Sequence, residues 1–326
     1  MKKILMTLLL VVASVSVLFA AAETEIAYPT RPIDLVCAGS AGSGGDTLTR
    51  IIAMYLGEEL GVTVNVINTA GGSGIPAVTS VLNSAADGYM FMADQGLSSS
   101  FQLSMDPASI PYDIMKDRKY ICKIGSGPQV ICGSTKMGWN DIRDVAEYRK
   151  TNTGDFYWGG IGVNSAANFA ILQATQGLGI DLSKMTEIRY KGGGDILAAI
   201  AGGHIMIGSC AASGVPSYVQ DNLVKPLVVC GASRLAILPD VPSAAELGLD
   251  NLTADFWIGI SGKAGLPDYV VTTIDEAVQK VIKNPAFLEA IGKIGAVVNY
   301  VGPKDFPAAL EKEGAAVKDL VALGQK

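Results

Sequence analysis

The stretch VCAGSAGSGGDTLTR, Val36–Arg50, decides how the rest of the chain reads. It follows the short apolar run Ile33-Asp34-Leu35-Val36 and leads into an amphipathic pattern. A strand that ends in a glycine- and serine-rich turn and feeds a helix leaves unpaired backbone N–H groups at the helix start. The helix dipole adds partial positive charge at the same place. The natural guest is an anion. Gly39, Gly42, Gly44 and Gly45 carry no Cβ to hold a ligand off the backbone. A nucleotide P-loop would close on Lys followed by Ser or Thr, and Asp46-Thr47 stands there instead. Ala41-Gly42-Ser43-Gly44-Gly45 approaches a hydrolase nucleophile elbow. Its general base would have to be His204, the only histidine, which lies in the apolar run His204-Ile205-Met206-Ile207. A turn that merely joins strand to helix is the remaining alternative.

Outward from this loop, Leu48, Ile51, Ile52, Tyr55, Leu56 and Leu60 recur at helical spacing. Val62–Ile67 reads as a strand and Asn68–Gly74 as a second glycine loop. A helix opens at Ile75, with Pro76 where its missing N–H costs little. Tyr89–Asp94 is a third strand. This βαβαβ order implies a parallel sheet with ligand sites at the carboxyl ends of its strands. Tyr120–Gly133 reads as extended, and the pattern then restarts. Asn140 can cap a helix running to Lys150, Asp155–Trp158 is a strand, and Gly159–Ser165 is a third glycine loop before a helix over Ala166–Gln176. Thr186–Tyr190 is a strand, Lys191–Gly194 a fourth glycine loop, and Asp195–Ala201 a helix. His204–Cys210 and Lys225–Cys230 complete the second unit. Phe256–Ser261 is a further strand, Pro267–Lys283 a helix, Gly295–Tyr300 a strand and Pro303–Leu323 a terminal helix. Two such units imply a cleft between facing sheets.

Composition narrows the function. Lys2-Lys3, the apolar run Ile4–Phe19 and the small residues Ala20-Ala21-Ala22 have the form of an export signal cleaved near Ala22. Removing 22 of the 326 residues leaves 304, enough for two domains, and takes the net charge from −6 to −8. That balance disfavours nucleic acid as a partner. Cys37, Cys122, Cys132, Cys210 and Cys230 are odd in number, form no CxxC and sit mostly in apolar strand-like runs. They read as buried small hydrophobes rather than a disulfide framework or a metal site. With no nucleophile pair, metal cluster or cofactor fingerprint, the chain reads as a binding protein without catalytic residues, cofactor or metal. A sugar receptor is disfavoured, because aromatics make up only 7% of residues and no Trp lies within the glycine loops.

The residues resemble a known family, the periplasmic solute receptors of tripartite tricarboxylate transporters, often called Bug proteins. The likeness covers essentially the whole mature chain. It begins at Tyr28-Pro29-Thr30-Arg31-Pro32-Ile33 and continues through Ala41–Asp46, Asn68–Gly74, Ala86-Asp87-Gly88-Tyr89, and Pro111-Tyr112-Asp113 with Asp117. In the second unit it takes in Tyr190–Gly194 and Gly202-Gly203-His204. Its most specific piece is Leu238-Pro239-Asp240-Val241-Pro242-Ser243 with Glu246 and Gly248. The chain departs from the family pattern at Cys37-Ala38-Gly39, where Val-Pro-Phe is usual. It departs again at Asn68-Thr69-Ala70, where proline is usual, and at Asn168, near where a His is common.

The resemblance implies an α/β, two-domain periplasmic-binding-protein fold of Venus-flytrap, type II-like form, with a ligand cleft between the domains. Residues 26–126 and 252–326 would form domain 1, and 127–251 domain 2. It implies a receptor that captures a small carboxylic acid in the periplasm and delivers it to membrane permease subunits of a tripartite tricarboxylate transporter. A ligand-presenting sensor for a signalling partner and an exported serine hydrolase are the alternatives. Carried over by position, one jaw is Ser40, Ala41, Gly42, Ser43, Gly44 and Asp46. The other comprises Gly162, Asn164 and Ser165, with Ala70, Gly72 and Ser73 lining the cleft. Ser43, Ser73, Asn164 and Ser165 either donate to the ligand or cap helices. Asp46 reads as a first-turn acid that supports its helix. Asp195 either caps a helix or meets a ligand hydroxyl or ammonium through water, and Ser98 follows the third strand where a polar ligand group can rest.

Overall fold

The computed structural model describes residues 27–162 and 165–324. The proposed export signal, 1–22, and Asn164 lie outside the described residues. The chain opens with β1 (Ile33–Cys37), α1 (Gly44–Leu60), β2 (Val64–Asn68), α2 (Ile75–Leu82) and β3 (Met90–Asp94). Ser43 caps α1 by accepting from the Asp46 N–H at 3.2 Å, and Gly61 ends it in the left-handed region at φ 69°. β1 pairs in parallel with β2 on one side and β3 on the other. The glycine loops after β1 and β2 and the serine segment after β3 therefore leave the same edge of this sheet.

A long strand follows, β4 (Arg118–Ser134). Next come α3 (Arg143–Thr151), β5 (Tyr157–Gly160), α4 (Ala166–Gly177), β6 (Thr186–Arg189), α5 (Gly193–Gly202) and β7 (Ile207–Ala211). Then come α6 (Val215–Gln220), β8 (Val224–Val229), β9 (Asp255–Lys263), α7 (Asp268–Val281), α8 (Pro285–Gly292), β10 (Val297–Val301) and α9 (Phe306–Gly324). Asn140 does not cap α3. Its N–H donates to Asp144 Oδ2 at 2.7 Å, and the helix starts at Arg143 with Ile142 at the cap position.

The expected pair of separate facing sheets is corrected in one respect: β4 belongs to both. Its residues Arg118–Pro128 pair antiparallel with β9, whereas Gln129–Gly133 pair with β7 and Val130–Ser134 with β8. The strands thus follow one path, β2-β1-β3-β9-β4-β7-β5-β6, with β10 and β8 also bonded to β4. The changeover falls at Pro128-Gln129: Pro128, which has no N–H to donate, is the last residue paired with β9, and Gln129 is the first paired with β7.

The sheet is mixed, parallel at β2-β1-β3 and β6-β5-β7 and antiparallel wherever β4 and β9 pair, and helices cover both faces of each half. On one face of the first half, Leu48, Ile52 and Leu56 of α1 and Val270 and Ile274 of α7 meet Ile258 and Ile260 of β9. Each such side chain contributes about 1.5–3 kcal/mol on full burial. On the other face, Trp257 and Tyr120 pack on Phe306 and Leu310 of α9. In the second half, Trp158 packs on Ala170 and Ile171 of α4, while Ile196 and Ile200 of α5 cover the opposite side. The five thiols are free and buried. No helix among the described residues is long and apolar enough to cross a membrane.

Candidate binding cleft

The loop after β1 is organised from within by Asp46. The residue is 2% exposed, and its carboxylate turns inward. Oδ2 accepts from the Gly42 N–H at 2.8 Å and from Arg50 Nε at 3.1 Å, and Oδ1 accepts from Asn68 Nδ2 at 2.8 Å. Arg50 in turn reaches Asn68 Oδ1 at 2.8 Å, and Asn68 Nδ2 also donates to the Gly39 carbonyl. Burial pushes the Asp46 carboxyl up, but the bonds from Arg50, Asn68 and Gly42 outweigh it and hold it below the usual carboxylate range. Asp46 therefore braces the loop, with both carboxylate oxygens engaged within it. The Gly42 N–H is consumed with it. Among the described residues, the N–H groups of Ser40, Ala41, Gly44 and Gly45 carry no hydrogen bond. Those of Gly44 and Gly45 are orphans of the first turn of α1.

The loop after β5 repeats the device with the charges exchanged. Ser165 caps α4 by accepting from the Asn168 N–H at 3.2 Å, as Ser43 does for Asp46. Asn168 Oδ1 accepts from the Ile161 N–H at 2.7 Å, the Gly162 N–H at 3.2 Å and Ser165 Oγ at 3.1 Å. Its Nδ2 donates to Glu187 Oε1 at 2.8 Å. One loop pairs an acid on the helix with an amide on the neighbouring strand; the other pairs an amide on the helix with an acid on the strand. Two residues expected to meet a ligand are engaged within the loop: the Gly162 N–H donates to Asn168 Oδ1, and the Gly162 carbonyl accepts from Ser165 Oγ at 2.8 Å. The Ala166 and Ala167 N–H groups, in the first turn of α4, carry no hydrogen bond among the described residues.

The remaining expected residues divide. Ser98 is fully buried, and its hydroxyl donates to Asp94 Oδ1 at 2.8 Å. Asp94 in turn forms a buried ion pair with Arg118 at 2.6 Å. Ser98 therefore belongs to a buried network with Asp94 and Arg118. Ala70 and Gly72 are exposed in the loop after β2. Ser73 adopts φ 53°, a left-handed conformation costing on the order of 1 kcal/mol in a non-glycine residue. Gln102 Nε2 pins it by donating to the Ser73 carbonyl at 2.8 Å. Asp195 is exposed in the first turn of α5. Pro111, Tyr112 and Asp117 line a groove with Lys263 at the C-terminal end of α2, the end away from the Ala70–Ser73 loop. The Leu238–Glu246 motif closes on itself, with Glu246 accepting from the Ser243 N–H at 2.8 Å and from Arg234 Nε at 2.9 Å.

The two rims meet. A Cβ placed on Gly44, at the start of α1, would stand 2.7 Å from Ala211 Cβ at the end of β7. One on Gly193, at the start of α5, would stand 2.8 Å from Cys210 Cβ. The first turns of α1 and α5 therefore converge on the carboxyl end of β7 with no room for side chains. The Phe256 ring lies at the same point, 3.2 Å at Cζ from that Gly44 Cβ. Gly295, before β10, makes a further contact across the halves, toward Ile237 and Ala212. Sequence reading missed Asn168 and Glu187 as loop organisers, and it missed Phe256 and Ala211. The capping pattern Ser165-x-x-Asn168 was a usable signal for the first of these. The other contacts join residues far apart in the chain.

A sequence model described as the tripartite tricarboxylate transporter family receptor matches residues 48–320. The chain belongs to that family. It is a receptor, a binding protein rather than an enzyme. It is 25% identical over 297 residues to Protein BugT of Bordetella pertussis, covering 89% of each chain. Among solved structures it resembles Rhodopseudomonas palustris Rpa4515 with adipate at TM-score 0.80 and 22% identity, covering 91% of this chain and 98% of that one. It also resembles MatC from the same organism with bound malate, at TM-score 0.76 and 22% identity, covering 90% and 100%. These likenesses show the fold, a mixed α/β fold resembling that of periplasmic binding proteins.

Proposed function

We propose that the receptor captures a small carboxylic acid between its two halves in the periplasm and hands it to membrane permease subunits of a tripartite tricarboxylate transporter. In this reading residues 26–126 and 252–326 form one domain and 127–251 the other, hinged where β4 changes sheets. The observation that carries it is the meeting of Gly44 with Ala211, which brings the orphan N–H groups of α1 against the carboxyl-end rim of the second half. Taking a carboxylate out of water costs several kcal/mol. Charge-assisted hydrogen bonds return about 1.5–3 kcal/mol each. The N–H groups of Ser40, Ala41, Gly44 and Gly45 on one jaw, and of Ala166 and Ala167 on the other, can supply them without an Arg. In this reading the Ser43 and Ser73 hydroxyls and Asp195 are the side-chain contacts to the ligand. The adipate and malate held by structures of the same fold support an acid as the ligand class.

A thermal-shift panel tests this reading. Small mono- and dicarboxylates should raise the melting temperature by linkage of binding to folding, and the corresponding amides should not. A panel in which sugars or amines shift the melt and acids do not would contradict it.

A further inference from the structure

Phe256 is set where no residue motif points. It sits on β9 directly opposite Gly127 of β4, at the point where β4 passes from one sheet to the other. Its ring folds over Gly127: a Cβ there would stand 2.5 Å from Phe256 Cζ and 2.6 Å from Cε1. The same two ring carbons would lie 3.2 and 3.3 Å from a Cβ on Gly44. The ring tip is thus wedged between the hinge strand and the first residue of α1.

Its orientation follows from strand alternation. Ile258, two residues on, approaches Gly45 and belongs to the core under α1. Trp257 points the other way, toward α9. Phe256 therefore stands on the α1 face of the sheet. Because β9 runs antiparallel to β3, it also stands at the edge where the ligand loops emerge. The side chain is half-buried, unlike Trp257 and Ile258, and its ring tip lies against Gly44. It offers an apolar face and no hydrogen-bonding atom.

We infer that Phe256 is a specificity-determining residue of this cleft, selecting acids whose carboxylate is joined to an unsubstituted hydrocarbon segment over their hydroxylated counterparts. The inference deepens the carboxylate-receptor reading and rests on it. A carboxylate that accepts from the Gly44 and Gly45 N–H groups lays its adjoining carbons against the ring. Methylenes gain there by leaving water. Hydroxyls in the same place lose their water and find no partner in the ring.

Two matched pairs of probes differ only in those hydroxyls: succinate with tartrate, and adipate with galactarate. Titration calorimetry on the full chain should show at least one unsubstituted acid binding tenfold or more tighter than its hydroxylated partner. Phe256→Ala should weaken that acid about tenfold and change the hydroxylated one less than threefold, so that the preference collapses. Phe256→Leu, which keeps an apolar side chain, should retain the preference. If the alanine variant loses its native circular dichroism, Phe256→Gln takes its place with the same expected collapse. Binding of the acids without preference, or an equal loss for both members of a pair, overturns the role of Phe256 alone. Binding of none of the four acids by folded wild-type protein overturns the carboxylate reading and this inference with it.

Discussion

Asp46 has both carboxylate oxygens facing donors, from Gly42 and Arg50 on one side and Asn68 on the other. An amide there would turn its NH2 toward one of those donors. Asp46→Asn should therefore weaken acid binding by tenfold or more, although Asn caps helices about as well as Asp. Adding Asn68→Asp should return much of the affinity, because the pair then has the acid on the strand and the amide on the helix, as Glu187 and Asn168 do. Calorimetry on the single and double variants measures this, and a single variant with wild-type affinity would count against the scaffold role. The residue types Ser43 and Asp46 were legible from the capping pattern alone. Asn68 was not legible as their partner, since only the β1–β2 register puts it beside the loop.

At the scale of elements, the strand–glycine loop–helix order was readable because apolar runs and glycine turns alternate along the chain. The short helices α6 and α8 were not read. Serines at helix starts looked like ligand donors, yet Ser165 spends its hydroxyl on Gly162 and Ser98 on Asp94. Those bonds depend on loop conformation, which composition does not fix. The exchanged acid and amide of the two loops give a second expectation. Asn168→Asp would set two carboxylates 2.8 Å apart, against Glu187 Oε1. It should lower the melting temperature at neutral pH, and less so near pH 4 where one carboxyl gains a proton. Glu187→Gln in the same chain should abolish that pH dependence in thermal melts; a variant as stable as wild type at both pH values would contradict this packing.

For the whole molecule, the long-range facts decide the mechanism, and those were the least legible. The extended run Tyr120–Gly133 was readable as a crossing between the two units; that a single strand, Arg118–Ser134, pairs within both sheets was not. Nor does the sequence place Glu313 of α9 against β9, where Trp257 Nε1 donates to both of its oxygens at 3.0 Å. Burial pushes the Glu313 carboxyl up, with the charge of Asp255 adding to the effect, while Trp257 and Lys123 oppose it. The folded state then holds a proton that the unfolded chain has already released. Stability is accordingly lost as pH rises from the ordinary carboxylate range through the raised value. Glu313→Gln should melt above wild type at neutral pH and level with it in acid below that range. A variant less stable than wild type at pH 7 would refute the assignment.

Closure of the two halves around an acid is the central claim, and Gly44 gives the means to block it. A valine there must displace Ala211 and Phe256, so Gly44→Val should hold the halves apart. The most direct measurement is small-angle scattering of wild type and Gly44→Val with and without a saturating acid, adipate being the first choice. The account predicts that wild type with acid has the smallest radius of gyration and that the variant stays expanded and shows no calorimetric binding. A variant that binds the acid and is as compact as liganded wild type would contradict it.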